Sequence, residues 1–314
     1  GNDRGRIYRI APRDFTYPGP PRLGKASSAE LVAMLEHPNG WHRDTASRLL
    51  YQRQDSSVTG ALRTLAMSSS LAEGRVGALY SLEGIGTLDE SDLLLALVDP
   101  APIVRTHALR LAESLVPTSP SLVARMVAMT SDRDLRVRYQ LAFSQGAAQG
   151  RSRNQALATL TLQDGKDHWM RLAIASSLFD GAGDVFSRLG ADPDFRSSEH
   201  GRQFLVILAG QIGTANRADE IAVVIRSLQQ LKENEKSLGQ QLVEALASSQ
   251  KGESRARILA AAGGKAGEIL AQLLGEARTI AADMDQPADR RAEAIRSLQL
   301  APLEEIQGLL EQML

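Results

Sequence analysis

Arginine side chains recur along this chain at a spacing that could build a row of charged contacts. Each belongs to a phrase of the form apolar–x–Arg–x–x–Ala/Leu, and successive arginines lie about 30 to 33 residues apart. An arginine guanidinium is always charged and can hold a carboxylate or a phosphate through two parallel hydrogen bonds. We name these residues the marker arginines: Arg43, Arg75, Arg105, Arg138 and Arg171.

An aspartate precedes an arginine by six residues in three places along the chain. This spacing puts a carboxylate in a turn and a guanidinium in the first turn of the next helix, where the aspartate can cap the helix and pair with an arginine of an adjacent unit. The pattern predicts a structural ladder. The alternative is a concave arginine surface that binds an anionic partner; we favour the ladder, because a stacking contact must recur in every unit. The pairs are Asp99 with Arg105, Asp132 with Arg138, and Asp285 with Arg291.

Two tryptophans occupy the same register, two residues before a marker arginine. Trp41 precedes Arg43, and Trp169 precedes Arg171. Exposed tryptophans are common anchors in protein–protein interfaces, so these four residues form a candidate interaction surface. The interpretation that we favour from the sequence is packing of both rings at the start of a helix.

The remaining composition offers no catalytic, cofactor-binding or metal-binding motif. The chain has no cysteine, which rules out a disulfide, a thiolate metal site and a haem-attachment motif within these residues. Its five histidines form no HExxH pattern. A net charge of −1 argues against a general nucleic-acid binder, and no run of about 18 apolar residues is present to span a membrane.

Helical periodicity extends from Ser28 to the last residue, and it predicts an all-α fold built from helices separated by short turns. Ser27 and Glu30 form a capping-box pattern at the start of this region. A repeat period near thirty residues is typical of a solenoid, in which each unit buries its apolar face against its neighbours. We therefore expect a HEAT-like α-solenoid, a right-handed superhelix of helical hairpins.

Three segments are expected along the chain. Residues 1–14 favour a strand, whose partners would lie upstream in a longer protein, and residues 15–26 form a proline-rich linker. Residues 27–314 form the predicted solenoid. Within it, the glycines and the proline of residues 180–199 predict an irregular repeat or a seam between two sub-arrays.

The N-terminal sequence goes beyond a generic HEAT array. "GNDRGRIYRI", a proline-rich linker and "LGKASSAELVAMLEHPNGWHRDTASRLLYQRQ" together resemble the membrane-bound dehydrogenase-like, c-type haem-binding proteins of Planctomycetes and Verrucomicrobia. That multidomain family has a β-propeller, then a HEAT segment, then a cytochrome module with a CxxCH motif. The resemblance implies that residues 1–14 are the closing strand of a propeller, and that haem belongs to a downstream part of the parent protein.

The resemblance and the residues lead to three functional hypotheses. The first is a non-catalytic scaffold and spacer between propeller and cytochrome, with the neighbouring domains as partners and a periplasmic or cell-surface location. The second is a free-standing solenoid that binds other proteins. The third is an enzyme on a HEAT scaffold, such as a DNA glycosylase or a bilin lyase; the neutral charge and the missing cysteine count against it.

Overall fold

The computed structural model describes residues 8, 10–16, 19–228, 230–232, 235–248, 265–298, 301, 306–308 and 311. Across these residues the chain forms helices and turns without any strand, which confirms the all-α prediction. Most of the predicted N-terminal strand, residues 1–7 and 9, lies outside the described residues. Tyr8 and Ile10 are described, and they have no regular secondary structure. The part of the predicted helical array at residues 249–264 also lies outside the described residues.

The chain divides into two compact units, Gly1–Leu88 and Asp89–Leu314. In the first unit, α1 packs on α2 and α3 packs on α4, while α1 also contacts α3 and α2 contacts α4. A short 3-10 turn, Leu23–Lys25, precedes α1 within the predicted linker. The helices of this unit are α1 (Ser28–Met34), α2 (Gly40–Arg53), α3 (Thr59–Ser68) and α4 (Ala72–Gly84).

The described part of the second unit contains α5 (Glu90–Ala96), α6 (Pro102–Ala112), α7 (Pro120–Ala128), α8 (Leu135–Ser144), α9 (Arg151–Asp164), α10 (His168–Ser176), α11 (Ala182–Gly190), α12 (Pro193–Ser197), α13 (Glu199–Ala215), α14 (Ala218–Leu228), α15 (Lys236–Ser248), α16 (Lys265–Ala282) and α17 (Ala288–Leu298).

Helices of the second unit contact the helix two places further along, except that α10 and α11 contact the helix three places further along, past the short α12. One row runs through α5, α7, α9, α11 and α14, and the other through α6, α8, α10, α13 and α15. The predicted irregular segment, 180–199, lies inside this unit. It contains α11 and the short helix α12, which packs on α13. The extra short helix is what breaks the sequence period there.

Short polar residues cap the N-termini of several of these helices. The predicted capping box is confirmed at α1, where the Ser27 side chain accepts from the Glu30 amide and the Glu30 carboxylate accepts from the Ser27 amide. Asp134, Asp167 and Asp192 cap α8, α10 and α12 in the same manner, each accepting from a backbone amide of the first turn. Such a side chain satisfies amides that have no partner inside the helix.

Leucine and alanine fill the core of each unit. In the first unit Leu62 and Leu82 are completely buried, and in the second unit Leu109, Leu141 and Leu157 are completely buried. Burial of one such side chain contributes about 1.5–3 kcal/mol to folding. The cores are therefore built from aliphatic side chains of similar size, which hold helices together without by themselves fixing how far one helix slides along another.

Two glycines of α13 give a matched test of packing around the irregular segment. A Cβ added at Gly201 would overlap the Phe195 carbonyl oxygen of α12, whereas at Gly210 the nearest atom, the Ala245 carbonyl oxygen, lies 3.8 Å away. We expect Gly201→Ala to destabilise the protein by about 1–3 kcal/mol, as overpacking does. Gly210→Ala should be neutral or should stabilise it by about 0.5–1 kcal/mol through helix propensity. Urea unfolding of both variants measures this, and equal effects would contradict the described α12–α13 contact.

Candidate functional site

A single arginine contact recurs where one helix ends and the next begins. Each arginine is the fourth residue of its helix, and its Nη1 donates to the carbonyl oxygen six residues earlier. The distance is 2.7 Å from Arg75 to Ser69 and 2.8 Å from Arg171 to Gly165. Among the described residues, six arginines share this contact: Arg43, Arg75, Arg105, Arg138, Arg171 and Arg196. We call each of these arginines with its contacts a rung.

In some rungs the accepting carbonyl lies at the end of the preceding helix. Ser69 follows α3, Gly165 follows α9, and Gly190 is the last residue of α11. Carbonyl groups in the last turn of a helix have no partner within the helix, and a cation there also interacts favourably with the helix dipole. The rungs of Arg75, Arg171 and Arg196 therefore cap one helix from the first turn of the next. The carbonyl oxygens that accept from Arg43, Arg105 and Arg138 lie in the turn after the preceding helix.

Two rungs use the other edge of the guanidinium to hold a carboxylate from the following turn. Arg105 Nε and Nη2 both donate to the Asp132 carboxylate at 2.7 Å. Arg138 does the same with Asp164, at 2.7 and 2.8 Å. All four side chains are at least 85% buried in the structure, with exposures of 15% and 9% in the first pair and 11% and 11% in the second. These are bidentate, largely desolvated ion pairs.

The Arg105–Asp132 pair keeps both groups charged. Burial raises the pKa of Asp132, but hydrogen bonds from Arg105 and from the Asp134 amide lower it by more, so the pKa lies below its ordinary value. The hydrogen bond to Asp132 raises the pKa of Arg105, against the opposite effect of burial. The pair is therefore fully ionised at neutral pH.

Two aspartates of the predicted ladder, Asp132 and Asp99, each use both the backbone carbonyl and the side-chain carboxylate. The Asp132 carbonyl oxygen accepts from Arg138, six residues later, while its carboxylate accepts from Arg105 of the previous rung. Asp99 likewise accepts from Arg105 through its carbonyl oxygen, at 2.7 Å, and its carboxylate caps the Ala101 amide. The shared aspartate thus joins one rung to the next.

The third predicted pair, Asp285 with Arg291, makes no such contact. Arg291 Nε donates to the Ala281 carbonyl oxygen at 3.2 Å, and the Asp285 amide donates to the Asp283 carboxylate. The aspartate that faces Arg291 electrostatically is Asp283, whose pKa is lowered by the Gln286 side chain first and by Arg291 as a smaller contribution. The six-residue spacing alone therefore does not ensure a rung.

The candidate interaction surface contains Arg43 and Arg171, and neither of these marker arginines pairs with a carboxylate among the described residues. Arg43 donates through Nη1 to the His37 and Pro38 carbonyl oxygens. Arg171 donates to the Gly165 and Lys166 carbonyl oxygens, and its Nη2 lies 3.4 Å from the Gln203 amide oxygen.

The tryptophans that precede these arginines are exposed rather than packed. Trp41 is 53% exposed and Trp169 is 65% exposed. Each ring has an edge contact with a neighbouring histidine ring, at 5.1 Å for His42 and 5.6 Å for His168. The interpretation favoured by the sequence, packing of both rings at the start of a helix, does not fit this exposure.

Sequence reasoning missed two arginines, the half-buried Arg196 and the buried Arg153. Arg196 forms a rung, and its Nε pairs with Glu235 at 2.9 Å. Arg196 lies only about 25 residues after Arg171, and the residue six positions before it is Gly190 rather than an aspartate. Neither the arginine period nor the Asp–Arg spacing could therefore predict this contact. Arg153 of α9 is 1% exposed and is held by the Asn154 side chain and by Asp180. No spacing rule pointed to it.

The described residues contain no other arrangement with an obvious chemistry. No cluster of three or more histidine, aspartate or glutamate side chains in them could hold a metal ion. No helix found in these ranges has the length and apolar character needed to cross a membrane. A comparison with protein-family models finds none that matches the chain, and a comparison with curated proteins finds no match either.

We predict that loss of the Arg105 side chain destabilises the protein. Arg105→Ala removes both guanidinium donors from the Asp132 carboxylate, which keeps only the Asp134 amide, and it removes the guanidinium donor from the Asp99 carbonyl oxygen. Leaving a largely buried carboxylate without its cation should cost about 1–3 kcal/mol in the free energy of unfolding. Arg105→Lys should restore only part of it, because an ammonium cannot form the bidentate pair. Urea denaturation monitored by circular dichroism measures both values.

Arg136 provides the control for that experiment. It pairs with Asp134 at 2.8 Å, but its side chain is 78% exposed, so solvent screens the pair. Arg136→Ala should leave the melting temperature nearly unchanged. Equal destabilisation by Arg105→Ala and Arg136→Ala would show that burial of the rung has no energetic consequence.

The Arg105 contribution should also depend on pH. Because the pKa of Asp132 is lower in the folded protein, its stabilisation is complete above the ordinary carboxyl pKa of about 4 and is lost as pH falls through the folded value. The difference in unfolding free energy between the native chain and Arg105→Gln should therefore be larger at pH 6 than at pH 3. A constant difference would mean that the carbonyl contact alone carries the effect.

Proposed function

We propose that this chain is a non-catalytic scaffold, a HEAT-like α-solenoid in which helical hairpins stack as a right-handed superhelix. The observation that supports this most directly is the repeated rung. The same arginine contact joins one helix to the next from Arg105 to Arg138, and the shared Asp132 couples the two. A stacked array needs the same contact between each pair of neighbouring units, whereas the residues of an active site are needed only once.

The particular role we propose is a spacer between domains of a larger redox protein. The resemblance of residues 1–53 to the membrane-bound dehydrogenase-like family supports it. On this proposal residues 1–14 close a β-propeller, residues 15–26 connect it to the solenoid, and a c-type cytochrome module follows downstream. The parent protein would then be periplasmic or on the cell surface, with its haem outside this chain.

A second candidate function is protein binding by the solenoid itself. The exposure of Trp41 and Trp169 favours it, because large aromatic side chains on a surface often anchor a partner. The two functions are compatible, since a spacer can also offer a docking surface to a neighbouring domain.

Small-angle X-ray scattering of the chain tests the scaffold. A compact single domain of 314 residues would have a radius of gyration of about 20 Å. Because a stacked array grows in one direction, we expect a value clearly above this figure. A radius near that of a compact domain would contradict the solenoid.

The non-catalytic part of the proposal has a separate test. The purified chain, incubated with haem, should show no stoichiometric haem spectrum, and it should not reduce a redox dye in the presence of sugars or alcohols. The reason is that the chain has no cysteine for a haem-attachment motif. Dye reduction above a heat-denatured control, or a haem spectrum at one equivalent, would contradict it.

A further inference from the structure

The rung of Arg171 differs from those of Arg105 and Arg138 because no carboxylate in the described part of the chain pairs with it. Arg105 and Arg138 receive theirs from Asp132 and Asp164, which lie 27 and 26 residues further along. The corresponding positions after Arg171 are Ser197 and Ser198. Both serine hydroxyls bond within their own turn, to the Asp194 and Phe195 carbonyl oxygens.

The guanidinium of Arg171 is nevertheless buried. The residue is only 7% exposed, and its Nε is buried without a hydrogen-bond partner among the described residues. Its Nη1 makes the usual carbonyl contacts. A buried charged donor without an acceptor costs free energy, and the Nε–Nη2 edge is the edge that binds a carboxylate in the Arg105 and Arg138 rungs.

An exposed side chain partly occupies this edge. The Gln203 amide oxygen lies 3.4 Å from Arg171 Nη2, and its amide nitrogen lies 3.3 Å from the Glu199 carboxylate. Both contacts are long, and Gln203 itself is exposed on α13. A glutamine held this weakly can rotate away without breaking a strong hydrogen bond.

The surroundings of this edge carry positive charge. Burial lowers the pKa of His200, and the charges of Arg171 and Lys166 lower it further, while Glu199 acts in the opposite direction. Lys166 is exposed beside the Gly165 carbonyl oxygen that Arg171 caps. The local field therefore favours an anion, with Glu199 as the one opposing carboxylate among the groups that face His200.

We propose that the Nε–Nη2 edge of Arg171 binds a carboxylate from outside this chain, carried by an acidic segment of a partner protein. The incoming carboxylate displaces the Gln203 amide and completes the rung in the geometry that Asp164 has on Arg138. The inference rests on the proposed scaffold function, and it names the chemistry of the partner.

The position of the tryptophans supports a protein segment over a free small anion. Trp169 and Arg171 both lie in the first turn of α10, and Trp169 is largely exposed. Because residues two apart on a helix point to different faces, a partner that contacts both must extend around the start of α10, which a free carboxylate cannot do. The first unit repeats the combination, since Trp41 precedes Arg43, which pairs with no carboxylate among the described residues. The arginines that hold aspartates, Arg105 and Arg138, are preceded at this position by Ile103 and Arg136.

Side-chain NMR of the full chain tests the site. The Arg171 Nε–H signal is followed while a hexaglutamate peptide, sodium acetate or sodium chloride is added at constant ionic strength. We expect a saturable shift of the Arg171 signal with the peptide, and no shift of Arg138, whose edge is already occupied by Asp164. A shift with acetate as well would show that a free carboxylate also enters the site.

Substitution at Gln203 supplies the matched variants. Gln203→Glu places a carboxylate of the chain itself beside Arg171, so it should weaken peptide binding at least tenfold. Because the new carboxylate also faces Glu199, the melting temperature is compared in a Glu199→Gln background, where adding Gln203→Glu should raise it. Gln203→Ala uncovers the edge and should strengthen binding a few-fold. Gln155→Glu adds the same charge at an exposed position of α9 and should change neither.

Several results would overturn the inference. These are the absence of a saturable shift, equal shifts of Arg171 and Arg138, an equal response to chloride, or unchanged peptide binding in Gln203→Glu. None of them affects the scattering and haem tests of the scaffold. Conversely, a compact radius of gyration together with peptide binding at Arg171 would remove the solenoid and leave the carboxylate site in place.

Discussion

The structure depends on one property of arginine, namely that a planar guanidinium can serve two groups at once. Arg105 donates from one nitrogen to a carbonyl oxygen in the turn after α5 and from its other edge to the Asp132 carboxylate. Lysine could satisfy either group but not hold both at fixed angles. Asp99 lies between α5 and α6, and Asp132 lies between α7 and α8. One arginine side chain therefore sets the distance between these two turns.

Fixing that distance matters because an aliphatic core specifies it only weakly. The helices pack through leucine and alanine, and cores of this kind tolerate hydrophobic substitutions that keep the total volume, losing a unique arrangement before they lose stability. A buried ion pair contributes little net stability once its desolvation is counted, yet it is strongly unfavourable when misaligned. The hypothesis that follows is that the rungs select one register of helix packing, while the aliphatic core supplies most of the free energy of folding.

The sequence predicts part of this arrangement for physical reasons that can be stated. The arginine period and the capping box at Ser27 depend on side-chain types, so both are readable. The carbonyl contact cannot be predicted from side-chain types, because any residue provides a carbonyl oxygen. The Gly190 carbonyl accepts from Arg196 just as the Asp99 carbonyl accepts from Arg105. For the same reason the Asp285 spacing is misleading, and the exposure of Trp169 depends on neighbours that the local pattern does not contain.

The departure at Arg171 follows from the same constraint. Where α12 interrupts the period, the positions that should return an aspartate carry Ser197, the last residue of α12, and Ser198, which caps α13. The carbonyl half of the rung survives because it needs only backbone, as the 2.8 Å contact to Gly165 demonstrates. The carboxylate half needs a particular side chain and is lost. Insertion of a short helix thus leaves a buried cation whose preferred partner must come from elsewhere, which is how a structural repeat can acquire a specific binding position without any change in the arginine itself.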